Sequence, residues 1–342
     1  MAYKILSFIL LLTLSALTGC SKGNDTLTDT PEAKVQPAET QFPEEITQTK
    51  ELPADEVPET EESLTSETLQ AAETPTVEIQ EVITEPTITE ADWSGYFDGI
   101  NGAAVIYDPA ENCYQIYNQE LALTRRSPCS TFKIISSLAA LENGIIDPDN
   151  SARAWSGEIF WNEDWNKDID FSDAFHTSCV WYFREVIDDI GKDMMQTELD
   201  KLQYGNCDIS DWEGHLNTNN SNPALTGFWI ESSLLISPKE QTEVMERIFG
   251  SHTDYSEETL SQLKQVMLLT GQSEPDISIY GKTGMGKAHG IVVDSWFTGF
   301  ADTDGKRLYF CVYLGETTDK DVSSAKAREI AVAIIHEGLI KQ

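Results

Sequence analysis

All eight tryptophans of the 342-residue chain lie between residues 92 and 342, and that uneven distribution decides where a core can form. From Ser21 to about Ala91 there are 18 acidic residues against three lysines, seven of the 13 prolines, and Phe42 as the only aromatic. Such a segment cannot bury enough apolar surface to offset its ordering entropy, so residues 21–91 read as a disordered, extended, acidic stalk. Residues 92–342 are long enough for one sizeable core. They hold 19 Lys and Arg against 40 Asp and Glu, a net charge of −21 that argues against nucleic acid as a partner and favours a small molecule. No internal repeat is visible.

Residues 1–20 place Lys4 ahead of a mostly apolar stretch, Ile5 to Leu14, and end in small residues. This is the pattern of a secretory signal, and the apolar part is short for a membrane span. Leu17-Thr18-Gly19-Cys20 resembles the lipobox of bacterial lipoproteins. The resemblance implies lipidation of Cys20 and an extracytoplasmic protein tethered to the cell membrane, through more than one acyl chain because a single chain anchors weakly. Five cysteines follow, at 113, 129, 179, 207 and 311. Their number is odd and their spacing fits neither a zinc site nor a disulfide framework, so no metal is expected and the thiols read mostly as buried packing residues.

Within 92–342, Gly102 to Tyr107 and Tyr114 to Tyr117 read as a hairpin-like pair of strands. Ser130 to Asn143 is apolar nearly all round and is stopped by Asn143-Gly144, which marks a helix inside the protein. Helical patterns follow at about 180–191, 192–202, 238–249 and 256–269. Strands are expected at 277–282, 294–301 and 308–314, and a last helix at 325–340. This order gives an α+β fold, an antiparallel sheet built from both ends of the domain and flanked by helices, with a helical region inserted between them.

Ser130 and Lys133 stand at i and i+3, one face of the start of that buried helix. A serine is a weak nucleophile until a base takes its proton, and a lysine among apolar neighbours can be held neutral enough to serve. S-x-x-K alone is weak, because a capping serine beside a lysine that reaches water gives the same pattern. Its companions strengthen it: Ser178 just ahead of a helix, the turn Tyr204-Gly205-Asn206, and Lys282-Thr283-Gly284 at the expected end of a strand. Serine, lysine, second serine and K-T-G in this order are the signature of serine β-lactamases and penicillin-binding proteins.

Ser130-Thr131-Phe132-Lys133, Ser178-x-Val180, Tyr204-Gly205-Asn206, Phe228-Trp229-Ile230-Glu231, Lys282-Thr283-Gly284 and Trp296-Phe297-x-Gly299 together resemble the motif set of class D (OXA-type) β-lactamases. With the lipobox and stalk, the likeness is to the lipoprotein type of Gram-positive, clostridia-like bacteria. The resemblance implies the serine β-lactamase and penicillin-binding-protein fold, and hydrolysis of penicillin-type lactams through an acyl-enzyme on Ser130. It implies no separate cofactor, only carbon dioxide taken up by Lys133 as N6-carboxylysine, the carbamate acting as general base. Trp229 would stabilise that carbamate through its indole N–H, and Val180 and Ile230 would form apolar walls around it. Ser178 would relay a proton to the leaving nitrogen. Lys282, Thr283 and Gly284 would hold the substrate carboxylate, and the amides of Ser130 and Met285 would form the oxyanion hole.

The sequence departs from the pattern in three places. Cys129 and Cys179 stand where many relatives carry alanine. The segment between Tyr204 and Trp229 is longer than in many class D enzymes. The arginine that relatives use for the carboxylate aligns with Arg328, Lys326 or Ala327. The rival implied function is a penicillin sensor that acylates without turnover; such receptors join this domain to membrane helices and a metalloprotease, and the sequence has no HExxH motif. A transpeptidase and a stalked, non-catalytic scaffolding module are more remote. Oligomeric state and lactam spectrum are not written in the sequence.

Overall fold

The computed structural model describes residues 85–216, 221–270, 277–303 and 305–340. The chain divides into two units, 1–77 and 78–342, and every described residue belongs to the second. The signal segment, Cys20 and the stalk up to residue 84 therefore lie outside the described residues.

Six strands form one sheet: β1 (Thr87–Glu90), β2 (Gly102–Asp108), β3 (Cys113–Tyr117), β4 (Ile277–Ala288), β5 (Ile291–Thr303) and β6 (Lys306–Gly315). Their order across the sheet is β1-β3-β2-β6-β5-β4. The expected antiparallel sheet is present from β3 to β4, but β1 pairs with β3 in parallel, so the sheet is mixed. β1 also falls inside the segment read from sequence as stalk, and the sheet begins at Thr87 rather than after residue 91. Thr, Ile and Thr are strand-favouring residues, but all four positions are exposed, so β1 carries no hydrophobic alternation to reveal it.

The helices are α1 (Ser94–Phe97), α2 (Gln119–Ala122), α3 (Lys133–Glu142), α4 (Phe171–His176), α5 (Val180–Ile190), α6 (Lys192–Leu202), α7 (Pro238–Phe249), α8 (Glu257–Met267) and α9 (Ser324–Ile340). Local chemistry sets their starts. Ser237 and Glu240 close a capping box on α7 with Pro238 in its first turn, and the Ser256 hydroxyl accepts the Thr259 N–H to cap α8.

Two apolar clusters sandwich the sheet. On one face α9 lays Ala327, Ile330, Ala331, Ile334 and Ile335 over Ile279, Phe297, Phe310 and Val312. On the other, Phe300 and Tyr309 meet the inserted helical region, in which α3 is central. Lys133 to Leu141 of α3 are all buried, as the all-round apolar pattern requires. Fully burying each large apolar chain is worth roughly 1.5–3 kcal/mol, so packing rather than capping holds α3 in place. The helix begins at Lys133; Ser130 lies just before it in a 3-10 turn, Cys129–Phe132.

Candidate active site

The 3-10 turn is wedged against β4. A side chain at Gly284 would place its Cβ 2.9 Å from the Pro128 carbonyl and 3.2 Å from the Thr131 nitrogen. Glycine is what lets strand and turn approach so closely. Lys282-Thr283-Gly284 therefore lies in the middle of a twelve-residue strand, not at its end, because β4 runs on past the motif paired with β5. Met285, the next residue, is 40% exposed beside the turn that carries Ser130.

Ser130 and Lys133 are brought together: the Lys133 ammonium donates to the Ser130 hydroxyl across 3.1 Å. Lys133 is 1% exposed and sits 5.3 Å from the centre of the Phe183 ring. Burial pushes its amine down to about 8, against opposing effects from the thiols of Cys179 and Cys129. Both thiols are buried and pushed up by desolvation, Cys179 to about 11, so they are inert packing groups. All five described cysteines are free.

Ser178 is placed by the end of α4. Its N–H bonds to the Phe175 carbonyl and the Cys179 N–H to that of Ala174, the paired bonds of a Schellman motif, which puts Ser178 in the left-handed region at φ 57°. A serine where glycine is favoured is strained by an amount on the order of 1–3 kcal/mol. In return its hydroxyl faces Lys282, which donates to it and, at 3.2 Å, to the Thr283 carbonyl. Lys282 is buried, and desolvation followed by the charge of Lys133 holds its amine well below the usual lysine range. The lysine expected to reach a substrate carboxylate is thus engaged with Ser178.

The three α9 residues that align with the relatives' arginine differ in their surroundings. Ala327 is buried in the core and Lys326 pairs with Glu329, whereas Arg328 lines a pocket with Lys282, Thr283 and His176.

Trp229 is 1% exposed, stacked 6.1 Å from Phe132 and edge-on to Phe228, with the partly buried Val180 and Ile230 in the surrounding core. The Tyr204-Gly205-Asn206 turn supports this wall from behind. Gly205 has φ 55° and abuts the Leu235 carbonyl, and Asn206 bonds both the Ser233 carbonyl (2.8 Å) and the Leu235 N–H (2.9 Å). Tyr204 is buried edge-on to Phe132, and Gln241 donates to Thr131 beside it. Phe160 and Trp165 are core while Trp161 is 76% exposed; Trp181 is core and Trp212 stacks on Phe228. Sequence reasoning gave no role to Ser127, which bonds the segments carrying Trp229 and Ser130 to each other; only its place before Pro128 marked it. Among the described residues no group of His, Cys, Asp and Glu could hold a metal ion.

A mixed sheet flanked by helices, with a serine three residues before a buried lysine and a K-T-G strand against it, defines the serine β-lactamase and penicillin-binding-protein fold class. Within that class the chain belongs to the penicillin binding protein transpeptidase domain family, whose family model matches residues 101–336. It is 31% identical over 247 residues to the probable β-lactamase YbxI of Bacillus subtilis, 71% of this chain and 84% of that one. It is 30% identical over 246 residues to the regulatory protein BlaR1 of Bacillus licheniformis, 71% of this chain but only 38% of BlaR1. The solved C-terminal domain of the B. licheniformis BlaR penicillin receptor superposes with a TM-score of 0.65 at 29% identity, over 75% of this chain and 98% of that domain. A class D β-lactamase structure from Bacillus subtilis gives 0.60 at 26% identity, over 72% and 95%.

Proposed function

We propose that the chain is a class D serine β-lactamase that binds penicillin-type lactams and hydrolyses them through an acyl-enzyme on Ser130. The observation that carries this reading is the Ser130–Lys133 contact with a lysine buried enough to lose its proton near pH 8. The Ser130 hydroxyl attacks the lactam carbonyl as its proton leaves toward Lys133. The amides of Ser130 and Met285 meet the developing oxyanion. Collapse breaks the C–N bond, and the Ser178 hydroxyl, in contact with Lys282, hands a proton to the departing nitrogen. Lys282, Thr283, Gly284 and Arg328 line the side on which the substrate carboxylate lies. Water then attacks the ester and releases Ser130.

The surroundings of Lys133 fit a carboxylated lysine: a buried nitrogen, neutral above about pH 8, next to aromatic and aliphatic walls. Carbon dioxide held there as a carbamate would supply an anionic proton acceptor beside Ser130, with Trp229, Val180 and Ile230 around it. The lipobox supports an extracytoplasmic location with the membrane reached through Cys20.

The second reading is a penicillin sensor that is acylated once, favoured by the likeness to the BlaR receptor domain over nearly its whole length. Turnover of a chromogenic cephalosporin, with and without bicarbonate, separates the two. Steady hydrolysis that rises with bicarbonate and vanishes in Lys133→Ala supports the hydrolase; one stoichiometric burst with a stable adduct rejects it for the sensor.

A further inference from the structure

Glu231 belongs to the Phe228-Trp229-Ile230-Glu231 motif, yet the mechanism above gives it nothing to do. Its backbone is left-handed at φ 50°, an unusual conformation for a residue with a long side chain. Its bonds reach two other segments. Its N–H donates to the Ser127 hydroxyl at 2.8 Å, and that hydroxyl donates onward to the Trp229 carbonyl at 3.1 Å. Its carboxylate accepts the Lys287 N–H at 2.5 Å, at the bulge between Gly286 and Lys287 in β4. Ser127 is 5% exposed and is itself anchored to the sheet, because the buried Trp296 indole donates to its carbonyl at 3.0 Å. The Trp229 carbonyl also receives the Cys129 N–H at 3.0 Å, one residue before Ser130.

We infer that Ser127 and Glu231 are paired positioning residues: Ser127 ties the Trp229 segment to the nucleophile turn, and Glu231 ties the same segment to β4 just beyond Met285. The role rests on the proposed function, since it assigns Trp229 to the wall around Lys133 and Met285 to the oxyanion hole. The two sides of the reaction centre are then one mechanical unit. A bond to a backbone N–H needs an acceptor oxygen rather than a charge, so a glutamine serves where an alanine does not.

The test compares Glu231→Ala, Glu231→Gln and Ser127→Ala in the described domain of the full chain. Loss of the clamp should lower kcat about 10- to 100-fold with KM little changed, as misplacement of reacting groups by about an ångström does. Glu231→Gln should stay within about threefold of the parent, with unchanged melting temperature marking intact folding. A second readout needs no lactam. Amide hydrogen exchange should speed up in both 228–236 and 283–290 in Glu231→Ala, and return to the parent rate in Glu231→Gln. If the parent chain fails to react with a fluorescent penicillin, the proposed function falls while the exchange result still decides the clamp. Unchanged exchange in Glu231→Ala, or a Glu231→Gln variant as impaired as the alanine, overturns the inference.

Discussion

Lys282 on β4 donates a hydrogen bond to the hydroxyl of Ser178, a residue 104 positions earlier at the strained end of α4. The bond joins the sheet to the inserted helical region across the reaction centre. It also places a buried amine, held below its ordinary range, on the serine assigned to proton relay. Lys282→Ala should slow acylation about 100-fold, the lower range for loss of a general acid–base partner. The rate of labelling by a fluorescent penicillin checks it, and an unchanged rate would reject the relay.

The pH dependence follows from Lys133. Its folded-state value of about 8 lies below the ordinary 10.5, so the neutral amine grows as pH rises through about 8. Acylation should climb over that window and level off above it, measured as single-turnover rates between pH 6.5 and 9.5; a flat profile counts against Lys133 as proton acceptor.

The same shift has a sign for stability. The unfolded chain keeps the lysine proton to higher pH than the folded one, so stability rises from about pH 8 toward 10.5. Lys133→Met removes the buried charge and should raise stability at neutral pH by on the order of 2 kcal/mol while abolishing turnover. Urea unfolding at pH 7 and pH 10 tests this, the gain shrinking at the higher pH.

Gly284→Ala forces the new methyl to within 2.9 Å of the Pro128 carbonyl, so β4 must move off the Ser130 turn. We expect a loss of about 1–3 kcal/mol in stability and a drop in labelling of tenfold or more, by roughly the cost of overpacking. Parent-like labelling would show that the close approach is dispensable.

Trp229 separates packing from chemistry. Trp229→Ala leaves a cavity against Phe132 and Phe228 and should cost about 3–5 kcal/mol. Trp229→Phe keeps most of the stacking and should melt near the parent, yet still lose turnover because the indole N–H is gone. Calorimetry paired with hydrolysis rates distinguishes them, and an active phenylalanine variant sinks the donor role.

Much of the fold was legible because periodicity reports burial. The all-round apolar run predicted α3, and the helical patterns read at 238–249 and 256–269 correspond to α7 and α8. β1 escaped because its four exposed residues carry no alternation, and the length of β4 escaped because Gly281, Gly284 and Gly286 weaken the strand signal in the motif itself. That Arg328, and not the buried Ala327 beside it, shares a pocket with Lys282 and Thr283 was also visible only in the fold, since neighbouring residues on one helix face different directions.

The sequence alone determined the candidate groups: a serine and lysine three residues apart, a second serine, a K-T-G strand and an indole, all in a segment able to form a core. Spacing along one element is a local property, and the chain states it directly. Only the tertiary structure decided that Lys282 meets Ser178, that Gly284 admits the Pro128 carbonyl, and that Ser127 and Glu231 bind three distant segments together. Those relations join residues 56 or more positions apart, and no local pattern encodes them; they exist only once burial has drawn the segments onto one sheet.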